Sequence, residues 1–294
     1  MPELPEVETI KRGLSNIIIN QKIIGVDLLW LGSFQDFEAN KQKIINSKII
    51  AINRTGKLLS IDLSSGLSLV FHLKMTGQIV FRPMGNSSVG FGGGHPTKSL
   101  SSKLPDISTR AIVRLSLGEL FFNDQRKFGW IKVVETGYHE GLIKKMGPDI
   151  LNVNQNQFIE LIKSRPKSKL KSILLDQSFV SGIGNIYADE SLNAAHLHPS
   201  TRVDELSVDQ LSMLHSRIQA ILRSSIELGG SSSKNYVNSK GEKGEYLDQA
   251  RVYGRVGKDC KDCGSEIIKL KLAGRGTHIC PTCQIIVQKL KERI

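Results

Sequence analysis

Cysteine is scarce in this chain and oddly placed: its 294 residues hold four, all between positions 260 and 283. That confinement excludes a disulfide framework spread through a secreted fold and points to a metal site. Long apolar runs are missing too. No stretch approaches the roughly 18 residues of a membrane span, and the charged first residues are no secretory signal. A cytoplasmic protein with no membrane partner is expected. No heptad or apolar dimer stripe is present, so a monomer is expected. Acidic residues are in deficit, 28 against 40 basic, a net charge of +12, which is the footprint of a polyanion binder. Hydrophobic content of 39% and charged content of 23% describe an ordinary globular chain, long enough for two domains.

What is present begins at residue 1, with Met-Pro-Glu-Leu-Pro-Glu-Val-Glu-Thr. Pro5 fits a first helical turn, Glu6 and Glu8 complement a helix N-terminus, and Val7, Ile10, Leu14, Ile17 and Ile18 repeat at helical spacing. The same residues carry a second meaning. Met before Pro is normally trimmed, leaving a secondary amine at Pro2 whose reference pKa of about 7.7–8.0 leaves a nucleophilic fraction at neutral pH. Glu3 and Glu6 beside it are candidate proton donors.

Residues 22–81 read as short strands separated by turns: Ile23–Trp30, Ile49–Asn53, Leu58–Leu63 and Leu67–Leu73. Strands at Ala111–Leu117, Glu119–Phe122 and Gly129–Val134 follow, and the set suggests an antiparallel sandwich or barrel. Lys57 after the Gly56 turn reads as a solvated charge, and Met75 as core filler. Residues 84–108, heavy in Gly and Ser, read as a loop unable to pack a core, and the glycine run is no phosphate cradle. After a linker at 145–149 the period becomes helical. Ser207 and Gln210 make a capping box, and Leu211, Leu214, Ile218, Ile221 and Leu222 line one face up to Gly229-Gly230. Gly182–Glu190 is a turn entering a helix, with Lys167, Lys169 and Lys171 nearby, a pattern suited to phosphate or to a plain helical corner. Residues 229–246 read as a polar loop. Cys260-x-x-Cys263, sixteen residues, then Cys280-x-x-Cys283 is the spacing of a tetrahedral structural zinc site.

The opening nonamer resembles the formamidopyrimidine-DNA glycosylases, and so do five later stretches: His72-Leu-Lys-Met75-Thr-Gly77, Asp124-Gln-Arg126-Lys-Phe128-Gly129, Gly182-Ile-Gly-Asn185-Ile-Tyr-Ala-Asp-Glu190, the loop after Gly229, and the cysteine finger. The resemblance implies an α+β chain in four segments. These are a catalytic β-sandwich with an N-terminal helix (1–147), a helix–two-turn–helix (148–235), a lesion loop and connector (236–254), and a β-hairpin zinc finger (255–294). It implies base-excision repair of damaged double-stranded DNA, removing 8-oxoguanine and formamidopyrimidines, with strand cleavage by β,δ-elimination. Pro2 would be the nucleophile and Glu3 the general acid, with Glu6 supporting, Lys57 assisting elimination and Arg275 assisting the last step. Met75, Arg126 and Phe128 would fill the gap left by the everted base. His72, Lys167, Lys171 and Asn185 would hold the DNA, and Cys260, Cys263, Cys280 and Cys283 one structural zinc. The sequence departs from the family near Ser108, where Ile107-Ser-Thr-Arg110 replaces a Lys-His-x-His stretch, putting one phosphate contact in doubt. A related glycosylase for oxidised pyrimidines and a non-enzymatic zinc-containing DNA-binding protein are the rival readings.

Overall fold

Helix α1, Leu4–Ile18, starts where its first turn can be closed by side chains. Glu3 and Glu6 form a capping box, and Pro5 occupies a position where no backbone N–H is needed. Val7, Ile10, Leu14 and Ile18 are buried along one face. The structure is a computed structural model that describes residues 1–85, 90–95, 98–100, 102–137, 146–231, 244–272 and 274–286. The chain divides into two compact units, Met1–Lys144 with Leu228–Glu245, and Lys145–Glu227 with Tyr246–Ile294.

Among the described residues the first unit carries ten strands: β1 (Ile23–Leu28), β2 (Phe34–Gln35), β3 (Ile49–Thr55), β4 (Leu58–Leu63), β5 (Leu67–His72), β6 (Gly77–Pro83), β7 (Phe91–Gly94), β8 (Thr109–Leu115), β9 (Gly118–Asp124) and β10 (Trp130–Glu135). They make two five-stranded sheets, in the orders β1-β8-β9-β6-β7 and β2-β10-β5-β4-β3. All pairings are antiparallel except β2 with β10. Ile79, Phe81, Val113 and Phe122 of one sheet and Leu59, Ile61, Phe71 and Ile131 of the other join the apolar face of α1 in one core. This is a sandwich with α1 packed into it.

Three expectations fail here. Residues 22–81 are not all strand and turn: Phe37–Ile44 forms helix α2, which buries Phe37 and Ile44 at its two ends and turns Glu38, Lys41 and Lys43 outward. The stretch 84–108 is not simply a loop either. Its described residues include β7, which pairs with β6 from Phe81↔Phe91 to Gln78↔Gly94. The glycines that suggested a loop let a strand lie close, and the one large residue does the packing. Phe91 is 1% exposed, and a Cβ on Gly13 of α1 would lie 2.1 Å from its ring. Leu100 adds a second anchor among Val80, Ile112 and Phe121. β1 also stops short of Trp30, because the N–H groups of Leu29 and Trp30 both turn to the Arg110 carbonyl.

In the second unit, α3 (Gln155–Lys163), α4 (Leu170–Leu175), α5 (Asn185–Ala194), α6 (Val208–Glu227) and α7 (Tyr246–Gln249) precede a hairpin of β11 (Ile268–Leu272) and β12 (Arg275–Ile279). The Ser207–Gln210 box closes the start of α6: the Gln210 N–H donates to Ser207 Oγ at 3.2 Å and the Ser207 N–H to Gln210 Oε1 at 2.9 Å. Helices α4 and α5 flank the two-turn connection, where Gly182 sits at φ +109.

Candidate active site and nucleic-acid interface

The chain's start is held, not frayed. Pro2 is buried. Glu3 is 2% exposed, Glu6 3% and Lys57 6%. The Glu3 N–H donates to Glu6 Oε2 at 2.7 Å, while Glu6 Oε1 accepts from the Ser231 N–H at 2.7 Å and its hydroxyl at 2.9 Å. One carboxylate therefore ties the residue after Pro2 to the segment following α6. Gly230 permits that approach: it sits at φ +91, and a Cβ there would lie 2.9 Å from Glu6 Oε1.

Lys57 is no solvated charge. Its turn is fastened to α1 through Arg54, whose Nε donates to Glu8 Oε2 at 2.8 Å and whose Nη1 donates to the Gly56 carbonyl at 3.1 Å. Burial alone would raise the Glu8 pKa, but the Arg54 hydrogen bond and charge, with Lys11 and Arg12, hold it below the usual carboxylate value. Glu8 and Arg54 were absent from the sequence-derived set, since an acidic residue in a first helical turn reads as dipole compensation alone.

His72 lies across the β4–β5 ladder from Leu58, next to Lys57. Its Nδ1 accepts the Lys74 N–H at 3.0 Å, so Nε2 carries the hydrogen. Burial first, then the charges of Lys74 and Lys57, push its pKa down to about 3. The imidazole is a neutral donor.

Met75, Arg126 and Phe128 come together in space. Arg126 Nη1 lies 3.0 Å from Met75 Sδ, and its guanidinium is 4.8 Å from the Phe128 ring centroid. Met75 is 40% and Phe128 52% exposed, an apolar projection with no core role. The residue that builds this loop is Asp124, fully buried. Its Oδ2 accepts from the Gly129 N–H at 2.6 Å and its Oδ1 from the Arg126 N–H at 3.1 Å, and it also bonds the Thr76 hydroxyl. Asp124 opens the motif in the sequence, yet its part in it needed the coordinates. Lys127, at φ +58, stacks its ammonium 3.8 Å from the exposed Trp30 ring centroid.

Ser108 turns inward, its N–H and hydroxyl donating to Asp106 Oδ1 at 2.8 and 2.6 Å. Half-buried His95, after β7, is brought to the same sheet end by its N–H bond to the Gly77 carbonyl at 3.0 Å. Burial first, then the α-amino group of Met1, lower its pKa, against the pull of Asp124.

In the second unit, Lys167 is exposed, and Arg275 is exposed at the start of β12. Asn185 opens α5, and its Nδ2 donates to the Gly276 carbonyl at 3.1 Å. Lys171 corrects the sequence reading. Its side chain is 0% exposed and its ammonium lies 2.6 Å from Asp189, so it cannot meet a nucleic-acid backbone. A lysine in a basic cluster ahead of a helix looks solvated; only the acidic partner eighteen residues on, at the fifth position of α5, reveals otherwise.

The four cysteine sulfurs lie within 4.8 Å of one another, with Cys260–Cys283 at 3.8 Å and Cys263–Cys280 at 3.4 Å. A tetrahedral zinc with Zn–S bonds of about 2.3 Å separates its sulfurs by roughly 3.8 Å, so the cluster fits one ion. Burial first, then the crowding thiols, push Cys280 and Cys283 up, which a divalent cation would reverse. Four thiolates leave no coordination position for substrate; the zinc is structural.

Residues 1–131 match the formamidopyrimidine-DNA glycosylase N-terminal domain, residues 146–237 the H2TH domain of the same enzymes, and residues 257–285 the zinc finger found in FPG and IleRS. A formamidopyrimidine-DNA glycosylase of Pelotomaculum thermopropionicum is 37% identical over 97% of this chain and 99% of its own length. A Lactococcus lactis FPG variant bound to Fapy-dG-containing DNA superposes with a TM-score of 0.84 at 34% identity, covering 96% of this chain and 99% of that one. The wild-type Lactococcus lactis Fpg with oxidised-pyrimidine-containing DNA gives 0.82 at 33% identity, over 96% and 99% of the two chains. With three domain matches in order and full-length relatives above a third identical, the chain belongs to the formamidopyrimidine-DNA glycosylase family.

Proposed function

We propose that this protein excises oxidised purines, 8-oxoguanine and formamidopyrimidines, from duplex DNA and then cuts the strand at the resulting abasic site. The observation that carries the reading is the anchored chain start: the Glu6 carboxylate fixes the Glu3 N–H and Ser231, and Pro2 beside Glu3 is buried. Such fixation is what a nucleophile aimed at one carbon requires. With Met1 removed, the Pro2 secondary amine attacks C1′ of the damaged nucleotide and gives up its proton, and the C1′–N bond breaks with its electron pair leaving on the base. Glu3 protonates the sugar ring oxygen, the ring opens, and a Schiff base forms at C1′. Successive β- and δ-eliminations then break the C–O bonds to the 3′ and 5′ phosphates, assisted by Lys57 and, at the last step, by Arg275, and water hydrolyses the Schiff base to free the sugar remnant and Pro2.

Met75, Arg126 and Phe128 supply the wedge that replaces the everted base, as apolar wedges do in kinking proteins. His72 contributes an uncharged N–H, while Lys167, Asn185 and Arg275 contact phosphate. The four segments 1–147, 148–235, 236–254 and 255–294 are the proposed functional parcels. Of the lesion loop, residues 236–243 fall outside the described residues. The proposed setting is a monomer acting on DNA in the cytoplasm. Among the described residues no helix is long and apolar enough to cross a membrane.

Borohydride trapping on a duplex with one 8-oxoguanine opposite cytosine tests the reading. A covalent protein–DNA band that is lost in Pro2→Gly supports it. No band with any lesion of a panel that includes oxidised pyrimidines, despite zinc-dependent DNA binding, overturns it. A band on oxidised pyrimidines alone would shift the substrate class, a possibility kept open by the relative that carries such DNA.

A further inference from the structure

Lys171 and Asp189 form a charge pair that the proposed chemistry does not use. Both side chains are 0% exposed. Withdrawing two charges from water is unfavourable unless every donor and acceptor is met, and an apolar pair of similar size would pack as well or better. Here the matching is complete. The Lys171 ammonium donates to Asp189 Oδ1 at 2.6 Å, to Thr277 Oγ1 at 2.7 Å and to the Gly276 carbonyl at 3.2 Å. The other carboxylate oxygen of Asp189 accepts the His278 N–H at 2.9 Å and faces His278 Nδ1 at 3.2 Å. Three consecutive residues of β12 are therefore held by one ion pair rooted in α4 and α5.

The placement of those three residues matters because Arg275 is the next residue along β12. Asn185, four residues before Asp189 on α5, reaches the same Gly276 carbonyl at 3.1 Å. That carbonyl is thus shared by Lys171 and Asn185. A plain structural bridge would not need its third and fourth contacts on the strand that carries an exposed arginine.

We propose that the buried Lys171–Asp189 pair is a positioning device that sets β12 in register with the start of α5, so that Arg275 and Asn185 grip the DNA backbone as one rigid jaw. The proposal rests on the reading that these two residues contact DNA. Lys171 and Asp189 act through their neighbours and touch no substrate. A low-dielectric site strengthens the pair's hold, and a fixed ammonium with three partners admits only one placement of the strand.

The test replaces the pair by an apolar one, Lys171→Met with Asp189→Leu, in the full-length zinc-loaded protein. A thermal midpoint and zinc content like the native protein's are expected, with affinity for a duplex carrying an abasic-site analogue weakened by about tenfold or more, a coupling of ordinary size. The trapping rate at saturating 8-oxoguanine duplex should stay within about twofold of native, because only binding is affected. Native affinity in a well-folded double variant would overturn the proposal and leave the pair a structural bridge. Should the double variant fail to fold, Thr277→Val decides: it removes one bond from the ammonium to β12 and leaves the ion pair intact. It should weaken affinity two- to fivefold or so, and unchanged affinity would overturn the proposal. Failure of the native protein to give any trapped band is a separate result that strikes the enzymatic reading instead.

Discussion

His72 stands in a motif where a basic residue beside a polyanion invites the assumption of positive charge. Its surroundings forbid that charge. Burial and two neighbouring lysines hold its pKa at about 3, and the backbone N–H of Lys74 occupies the nitrogen that would take the proton. Its signals in a histidine-selective NMR titration should therefore not move between about pH 5 and 8, while an ordinary histidine titrates near 6.5. The linkage has a definite sign. The folded pKa is depressed, so below about pH 6.5 the unfolded chain binds a proton that the native one refuses, and His72 withdraws stability as pH falls from there toward 3. His72→Gln should flatten that part of the stability–pH curve. A denaturant midpoint falling between pH 6.5 and 4.5 as steeply as in the native protein would refute the assignment.

Among the elements, β7 and α1 show how much the sequence disclosed and where it stopped. Helical spacing placed Val7, Ile10, Leu14 and Ile18 inward, Ser207 with Gln210 marked the start of α6, and alternating branched residues placed β4 at its observed limits. Those features are local, so periodicity and capping chemistry can report them. The partnership of Phe91 with Gly13 is not local: one residue lies in a glycine-rich stretch that composition reads as a loop, the other in a helix where glycine looks like a defect. Each explains the other only in space. Phe91→Ala should destabilise the protein by about 3–5 kcal/mol through the cavity left on α1. Gly13→Ala should also be harmful, because its methyl would strike the ring. Thermal or denaturant unfolding checks both, and a loss below about 1 kcal/mol for Phe91→Ala would show that the strand is not docked on the helix. Helix α5 holds contacts that its sequence does not announce. Asn185, Asp189, Glu190 and Asn193 are polar, yet Asp189, Glu190 and Asn193 are buried and bonded to the finger or its connector. A polar pattern reports solvent only when no other polar surface is waiting to pair with it.

Taken as a whole, the molecule joins a net charge of +12 to a finger that depends on a metal. Chelation should release one zinc per chain, unfasten the β11–β12 hairpin and weaken DNA binding, while the separate core of the sandwich unit keeps the first unit folded. Zinc release followed colorimetrically alongside circular dichroism checks this; loss of the strand signal in step with zinc would refute it. The short strand β7 has one more consequence, and it concerns encounters between molecules. It forms the outer edge of its sheet and contains three glycines in four residues, so it offers a stranger few rungs to pair with and little apolar surface to bury. The longer β6 behind it, with Ile79, Val80 and Phe81, would be far more inviting. Shortening the chain by cutting out residues 90–95 would bare that edge, and the product would be lost to self-association in concentrated solution well before any question of catalysis arose.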